Sequence, residues 1–339
     1  MENTGKRWGD EEKYYSKNQS SQKKELSDLE KKLETILKQF DPELLDRVSR
    51  SVKQWNQIVR DYLRSETALK LSIGTESQSV PIRVIDGLPL PFAGIVDDLS
   101  DNIWFLLNRP LVEKTYQGIE LIEKNYKKLS RWEKLPPLEA TANEVTNVRK
   151  LITSLKEMLV EHELVKRFKK INQDILGAYF FRQPRIELYW MVIGIMAATL
   201  GVTAESLTVV VMAHELAHAY THLGCDIDGK KWETNAFASS EIAIVEGLAQ
   251  FYTESICQKL LLRMPTAYEA YEKLLKVQSG PYLVHKEWLK DTGNDKGPKG
   301  EIVRVSMIQC RTLGIESNDD FLEIINQHKA NLSNKPTQN

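Results

Sequence analysis

"MAHELAHAYTHLG", Met212 to Gly224, ends an apolar run with three histidines and a glutamate. In an α-helix, residues four apart differ by about 40° in direction and lie one turn apart on the same face. His214 and His218 therefore point the same way and their imidazoles can converge, while Glu215 stands about 100° around the axis from His214. Just upstream, "SLTVVVM" runs apolar straight into these polar groups, which are costly to bury without partners. The chain carries its own control: at Glu161 it reads "EHELVKR", with Lys166 where the second histidine would stand, so His162 reads as an exposed or capping residue. Spacing and surroundings, not the tripeptide His-Glu-Leu, set the later stretch apart.

Two neutral imidazoles on one face suit a borderline cation such as Zn2+, and an adjacent carboxylate can take the proton of a water. A catalytic zinc takes three protein ligands and a water, and three residues compete for the third place. His222 continues the row but drifts about 80° around the axis, which favours a supporting or surface role. Glu246, in "SSEIAIVEGLAQFYTES", sits inside the apolar stripe Ile242, Val245, Ala249, Tyr252, Ile256. A carboxylate there is costly unless an ion or base satisfies it. Gly247 next to it admits close approach of another backbone. Glu233, in "KWETNAF", is the alternative ligand, in a connecting segment where carboxylates are commonly solvated. "CDIDGKKW" reads as a turn, since Asp226 and Asp228 lack the remaining ligands of a calcium loop.

Outward from this helix the chain reads as mainly α with a small β-sheet, an α+β fold. Residues 1–22 are polar and charged, with no apolar core of signal-peptide length, and are expected to be disordered in a cytoplasmic protein. Residues 23–170 read as a helical N-terminal region. Leu26, Leu29, Leu33, Ile36, Leu37 and Phe40 mark one amphipathic helix; "DPELL" opens a second, with Asp41 as its cap and a stripe from Leu45 to Tyr62. Residues 70–92 read as a small hairpin or irregular connector, and helices follow at 93–107, 111–133 and 139–171. A boundary near 165–173 leads to the motif-bearing domain, 171–330, and a tail, 331–339. There "DILGAYFF" and "RIELYW" flank a turn as two short strands, followed by a helix at 191–200 and a break at Gly201; Thr203 or Ser206 starts the motif helix.

The composition excludes several classes. A formal charge of −1 gives no bulk attraction to nucleic acid. Only Tyr189–Met212 raises a membrane reading; Glu205 and two glycines interrupt it, and its continuous apolar part, Met191 to Leu200, is about half the length a bilayer needs. Neither nucleic acid nor membrane is therefore an expected partner. Cys225, Cys257 and Cys310 are odd in number and form no CxxC, which fits reduced thiols and not a disulfide frame.

His-Glu-Leu-Ala-His followed by Glu-Gly-Leu-Ala resembles the gluzincins, zincin metallopeptidases whose third zinc ligand is a glutamate. The resemblance covers about 75 residues, from near Gly177 to about Glu254. It implies a zincin-like domain, a catalytic Zn2+ held by His214, His218 and Glu246, and Glu215 as general base. It also implies a peptide or protein substrate laid along an edge strand, for which "RIELYW" is the candidate. The chain departs from many gluzincins, which continue the third-ligand helix as NExxxD; here Val245 and Gln250 hold those places. The developing oxyanion needs a further donor. Tyr282 and His285 in "SGPYLVHKEW" and Arg304 in "EIVRVS" are candidates, against plainer roles in the core, on a helix surface and in a salt bridge. "ETNAFA" also resembles a stretch near the third ligand of phage-type repressor-cleaving metalloproteases, which keeps a regulatory protease as an alternative. A non-catalytic zincin-fold binding or scaffold protein is another, although a structural site has no need of Glu215. The N-terminal helices offer a partner surface or a cover for the site.

Overall fold

Apolar positions at three- and four-residue spacing fold as α1 (Lys23–Phe40) and α2 (Leu44–Thr67). The computed structural model describes residues 6–9, 23–71, 80–89, 175–278, 280–290 and 296–333, with isolated positions between 117 and 153. On α2, Val48, Val52, Trp55, Val59 and Leu63 are buried along one side, each contributing roughly 1.5–3 kcal/mol. Asp41 does not cap this helix: its carboxylate pairs with Arg47, and α2 opens at Leu44 with Glu43 in the cap position and no side-chain cap.

Among the described residues three strands form one sheet: β1 (Ile82–Ile85), β2 (Gly177–Phe180) and β3 (Arg185–Tyr189), in the order β1-β3-β2. β2 and β3 are the antiparallel hairpin read from the sequence, with Ala178 opposite Glu187. β1 joins the far side of β3 in parallel, Ile82 beside Ile186. This corrects two expectations. The connector at 70–92 supplies a strand to the sheet, and "RIELYW" is the central strand, not an edge. A parallel partner about 100 residues away leaves no local signal.

α3 (Trp190–Leu200) follows β3 directly and stops at Gly201, whose φ of +62° suits glycine. α4 (Ala204–Leu223) then starts from Thr203, whose Oγ1 accepts a hydrogen bond from Ser206 N at 3.2 Å. The two helices meet at 118°, and among the described residues no single helix is long and apolar enough to cross a membrane. There follow α5 (Thr234–Ser239), α6 (Ile242–Lys259), α7 (Pro265–Leu275), a 3-10 turn (Gly280–Leu283), α8 (Val284–Trp288), α9 (Lys296–Leu313) and α10 (Asn318–Ser333). The molecule is mainly α with a small mixed sheet.

α4 lies at the centre, between α2 and α6. The described residues of the 23–170 region therefore share a core and a sheet with those after 175. Trp190 Nε1 donates to Asp86 Oδ1 at 2.9 Å, and the Tyr220 hydroxyl donates to the Arg60 carbonyl at 3.0 Å. The helices expected at 93–107, 111–133 and 139–171, with His162 and the boundary at 165–173, lie outside the described residues apart from isolated positions. Within the stretch read as disordered, residues 6–9 are folded against the body and Trp8 is buried. All three cysteines are free, two of them fully buried.

Candidate metal centre

The helical spacing does what it dictates. His214 and His218, successive turns of α4, bring their Nε2 atoms to 3.1 Å, and Glu246 of α6 places Oε2 3.1 Å from the first and 3.6 Å from the second. A tetrahedral ion bound at about 2.0–2.1 Å sets its ligand atoms about 3.3 Å apart. The observed triangle matches, and among the described residues His214, His218 and Glu246 are the group that can hold a metal ion. Glu246 is 1% exposed and His218 fully buried, so the cluster is not a chance meeting of surface groups.

The electrostatics agree. Burial pulls the His218 imidazole towards its neutral form, in which a ring nitrogen keeps its lone pair. Burial alone would favour a protonated Glu246, but His218 and His214 beside it outweigh that and hold the carboxyl below its ordinary range. Oε1 of Glu246 is also buried and finds no hydrogen-bond donor among the described residues. A buried carboxylate beside two imidazoles has no permanent counter-charge, and a divalent cation would supply one.

Glu215, one residue from the first ligand, is buried and lies along β2. Gly177 makes room for it: a Cβ there would stand 2.9 Å from Glu215 Oε1 and 2.8 Å from Val211 Cγ1. A solvent-open cavity reaches His214 and Glu215. Its walls are mostly apolar, including Ile175, Met196, Val211 and Leu274, with Tyr282 beside the histidine at a ring separation of 6.1 Å. Gln250, which stands where many gluzincins carry an aspartate, donates through Nε2 to Gln278 Oε1 at 3.1 Å in the same wall. β2 borders the cavity through Gly177 and is an edge of the described sheet, so the strand beside the site is β2 and not β3.

Of the sequence-predicted residues, the fold gathers His214, Glu215, His218, Glu246 and Tyr282. It does not bring the others there. His285 turns to a separate polar cluster, with Nε2 3.2 Å from the Tyr271 hydroxyl and 3.5 Å from Glu254. Arg304 sits half-buried on α9, close enough to Tyr252 to affect its ionisation, and does not line the cavity. Glu233 is exposed at the start of α5. His222 has both ring nitrogens engaged, Nδ1 with the Tyr179 hydroxyl at 2.9 Å and Nε2 with Thr234 Oγ1 at 3.3 Å, and it stacks on Phe237. Asp226 holds a turn, accepting from the backbone of Asp228 and Lys230. Gly247 admits not a backbone but the indole of Trp288.

Sequence reasoning missed Trp8, whose ring packs on His218 with centroids 4.7 Å apart. Tyr179 was also missed; it lies between the second histidine and His222. A lone tryptophan in a polar segment was the one available signal for the first; the second had none. Comparison with protein-family models, with curated proteins and with solved structures finds no match.

Proposed function

We propose that this chain is a zinc-dependent peptidase of gluzincin type. The observation that carries the reading is the position of Glu215: a buried carboxylate adjoins the metal-competent triangle and, with His214, faces an open cavity. A site that only stapled the fold would need neither the acid nor the access. When bound, the metal supplies a Lewis acid and lowers the pKa of a water. Glu215 would accept a proton from a water held there and return it to the leaving nitrogen. β2 pairs with the extended substrate backbone, and Gly177 keeps that edge close to the acid. Tyr282 is the donor at hand for the carbonyl oxygen as it gains charge. The apolar walls lower the local polarity once a substrate fills the cavity, which strengthens each of these polar interactions.

Two imidazoles and one carboxylate serve zinc and also non-haem iron(II); the adjacent Glu215 of the His-Glu-Leu-Ala-His stretch, suited to act as a base, is what favours zinc. The test pairs metal analysis with a single variant. Purified wild type should hold about one zinc per chain and cleave peptides, and Glu215→Gln should keep the zinc while losing cleavage by at least ~100-fold. Equal cleavage by the two proteins would refute the assignment of the base, and a wild type free of metal would refute the centre.

A further inference from the structure

The chain's first described residues close over His218, one of the two candidate ligands that do not line the cavity. Trp8 N donates to the Ser240 carbonyl at 3.1 Å, Ile242 N donates to the Lys6 carbonyl at 3.1 Å, and Arg7 bridges Glu241 in antiparallel fashion. Arg7 Nη1 also donates to the carbonyls of Ser239, at 2.8 Å, and Glu316, at 3.1 Å. Gly9 lies so close to Ala238 that a Cβ would stand 3.0 Å from its carbonyl oxygen. These contacts hold the indole of Trp8 against two rings: His218 at 4.7 Å, tilted by 34°, and Phe237 at 6.1 Å, edge-on.

The position of this strap is specific in two ways. It covers the face of one metal ligand, for His218 is fully buried whereas His214 lines the cavity. It also pairs with Ser240–Ile242, the lead-in to α6, about one turn before Glu246. One four-residue segment therefore touches the ring of the second ligand and the approach to the third. An imidazole free to turn about its χ2 bond holds a metal less well than one already aimed at it. Among the described residues its anchors are two backbone hydrogen bonds, a half-exposed arginine and one aromatic side chain.

We propose that residues 6–9 are part of the metal centre: Trp8 is a positioning residue for His218, and docking of the strap sets how tightly the metal is held. The proposal rests on metal binding at His214, His218 and Glu246 but not on peptidase action. Undocking the strap loosens the centre without removing a ligand, so the segment couples metal retention to whatever competes for its backbone pairing.

The test measures zinc affinity of the full-length protein by competition with a chromophoric chelator, for wild type, W8A, W8F, R7A and a form lacking residues 1–9. Thermal unfolding of each metal-free form is recorded alongside. W8A and the truncated form should bind zinc about tenfold more weakly or worse. W8F, which keeps a ring on His218, should stay within about threefold of wild type. R7A, which frees the strap without emptying the core, should fall between them, so the outcome does not depend on W8A folding. With Co2+ in place of zinc, the visible absorption of the W8A and truncated forms should shift as the ligand field distorts. Should W8A, R7A and the truncated form lose thermal stability yet bind zinc as wild type does, Trp8 merely fills the core and the idea is overturned. A wild type that binds no zinc is a different result: it removes the metal centre itself.

Discussion

Gly177 and Glu215 are in contact across the β2–α4 interface, so close that a single added methyl group at position 177 would stand 2.9 Å from the Glu215 carboxylate. The glycine therefore sets where the acid can be. In Gly177→Ala the strand, Val211 or the Glu215 side chain must shift, and none of these groups is a metal ligand. Peptide cleavage should fall at least ~10-fold, in line with the sensitivity of general-base catalysis to position, with zinc content unchanged. Metal analysis beside a peptidase assay checks this, and undiminished cleavage in Gly177→Ala would show that the acid needs no such placement.

The two acidic candidates for the third ligand separate cleanly by burial, Glu246 at 1% exposure and Glu233 at the surface. Removing a ligand from a three-residue site leaves two imidazoles, too few to retain zinc through purification. Glu246→Ala should emerge nearly metal-free, and Glu233→Ala should carry the wild-type load. Elemental analysis of the two proteins decides it, and a full metal load on Glu246→Ala would transfer the third place elsewhere.

What was legible in the chain follows from the range of the interactions. The motif helix, the hairpin of β2 and β3 and the stop at Gly201 are local, fixed by periodicity, β-branched and aromatic runs and a glycine, and each stands where the sequence puts it. Glu246 was legible for a different reason: a carboxylate on the apolar stripe of α6 needs a buried partner, and the histidines are that partner. The central place of β3 was not, because the partner that makes it central, β1, comes from residues 82–85 and leaves no mark near residue 185. Trp8 was hidden in the same way, its role decided by a ring more than 200 positions later. The Asp41 cap failed through local competition, since Arg47 one turn into the helix takes the carboxylate. His285 was named with Tyr282 as a candidate oxyanion donor, yet the turn from 3-10 to α-helix sends the two side chains to different neighbours.

His222 should make stability pH-dependent. Burial chiefly, with Lys231 and Arg311 adding to it, pushes its pKa down to about 3 from the ordinary 6.5. The unfolded chain thus binds a proton below pH 6.5 that the folded one refuses until about pH 3. The contribution of the neutral ring is therefore complete above pH 6.5 and is lost as pH falls through that window, by about 1.4 kcal/mol per unit. Urea unfolding of the metal-free protein at pH 7, 6 and 5 should give a slope steeper in wild type than in His222→Gln by about one proton. Parallel slopes would mean that the buried ring takes up its proton without cost.

Gly247 presses on Trp288 as Gly177 does on Glu215, but here the neighbour cannot give. A Cβ on Gly247 would lie 2.4 Å from the indole Cη2, and that indole is fully buried with Phe321 edge-on at 4.9 Å. Gly247→Ala must therefore push α6 away from α8, and Glu246 is the preceding residue on the same helix. The overpacking should cost about 1–3 kcal/mol in stability, as crowded cores do. It should also lower zinc affinity, because the displaced helix takes its carboxylate with it. Chemical denaturation of the metal-free form measures the first effect and chelator competition the second. The double variant Gly247→Ala, Trp288→Leu removes the obstacle, so it should recover zinc affinity even though the smaller side chain leaves stability reduced. If the double variant binds zinc no better than Gly247→Ala alone, the contact with Trp288 is not what holds Glu246 in register.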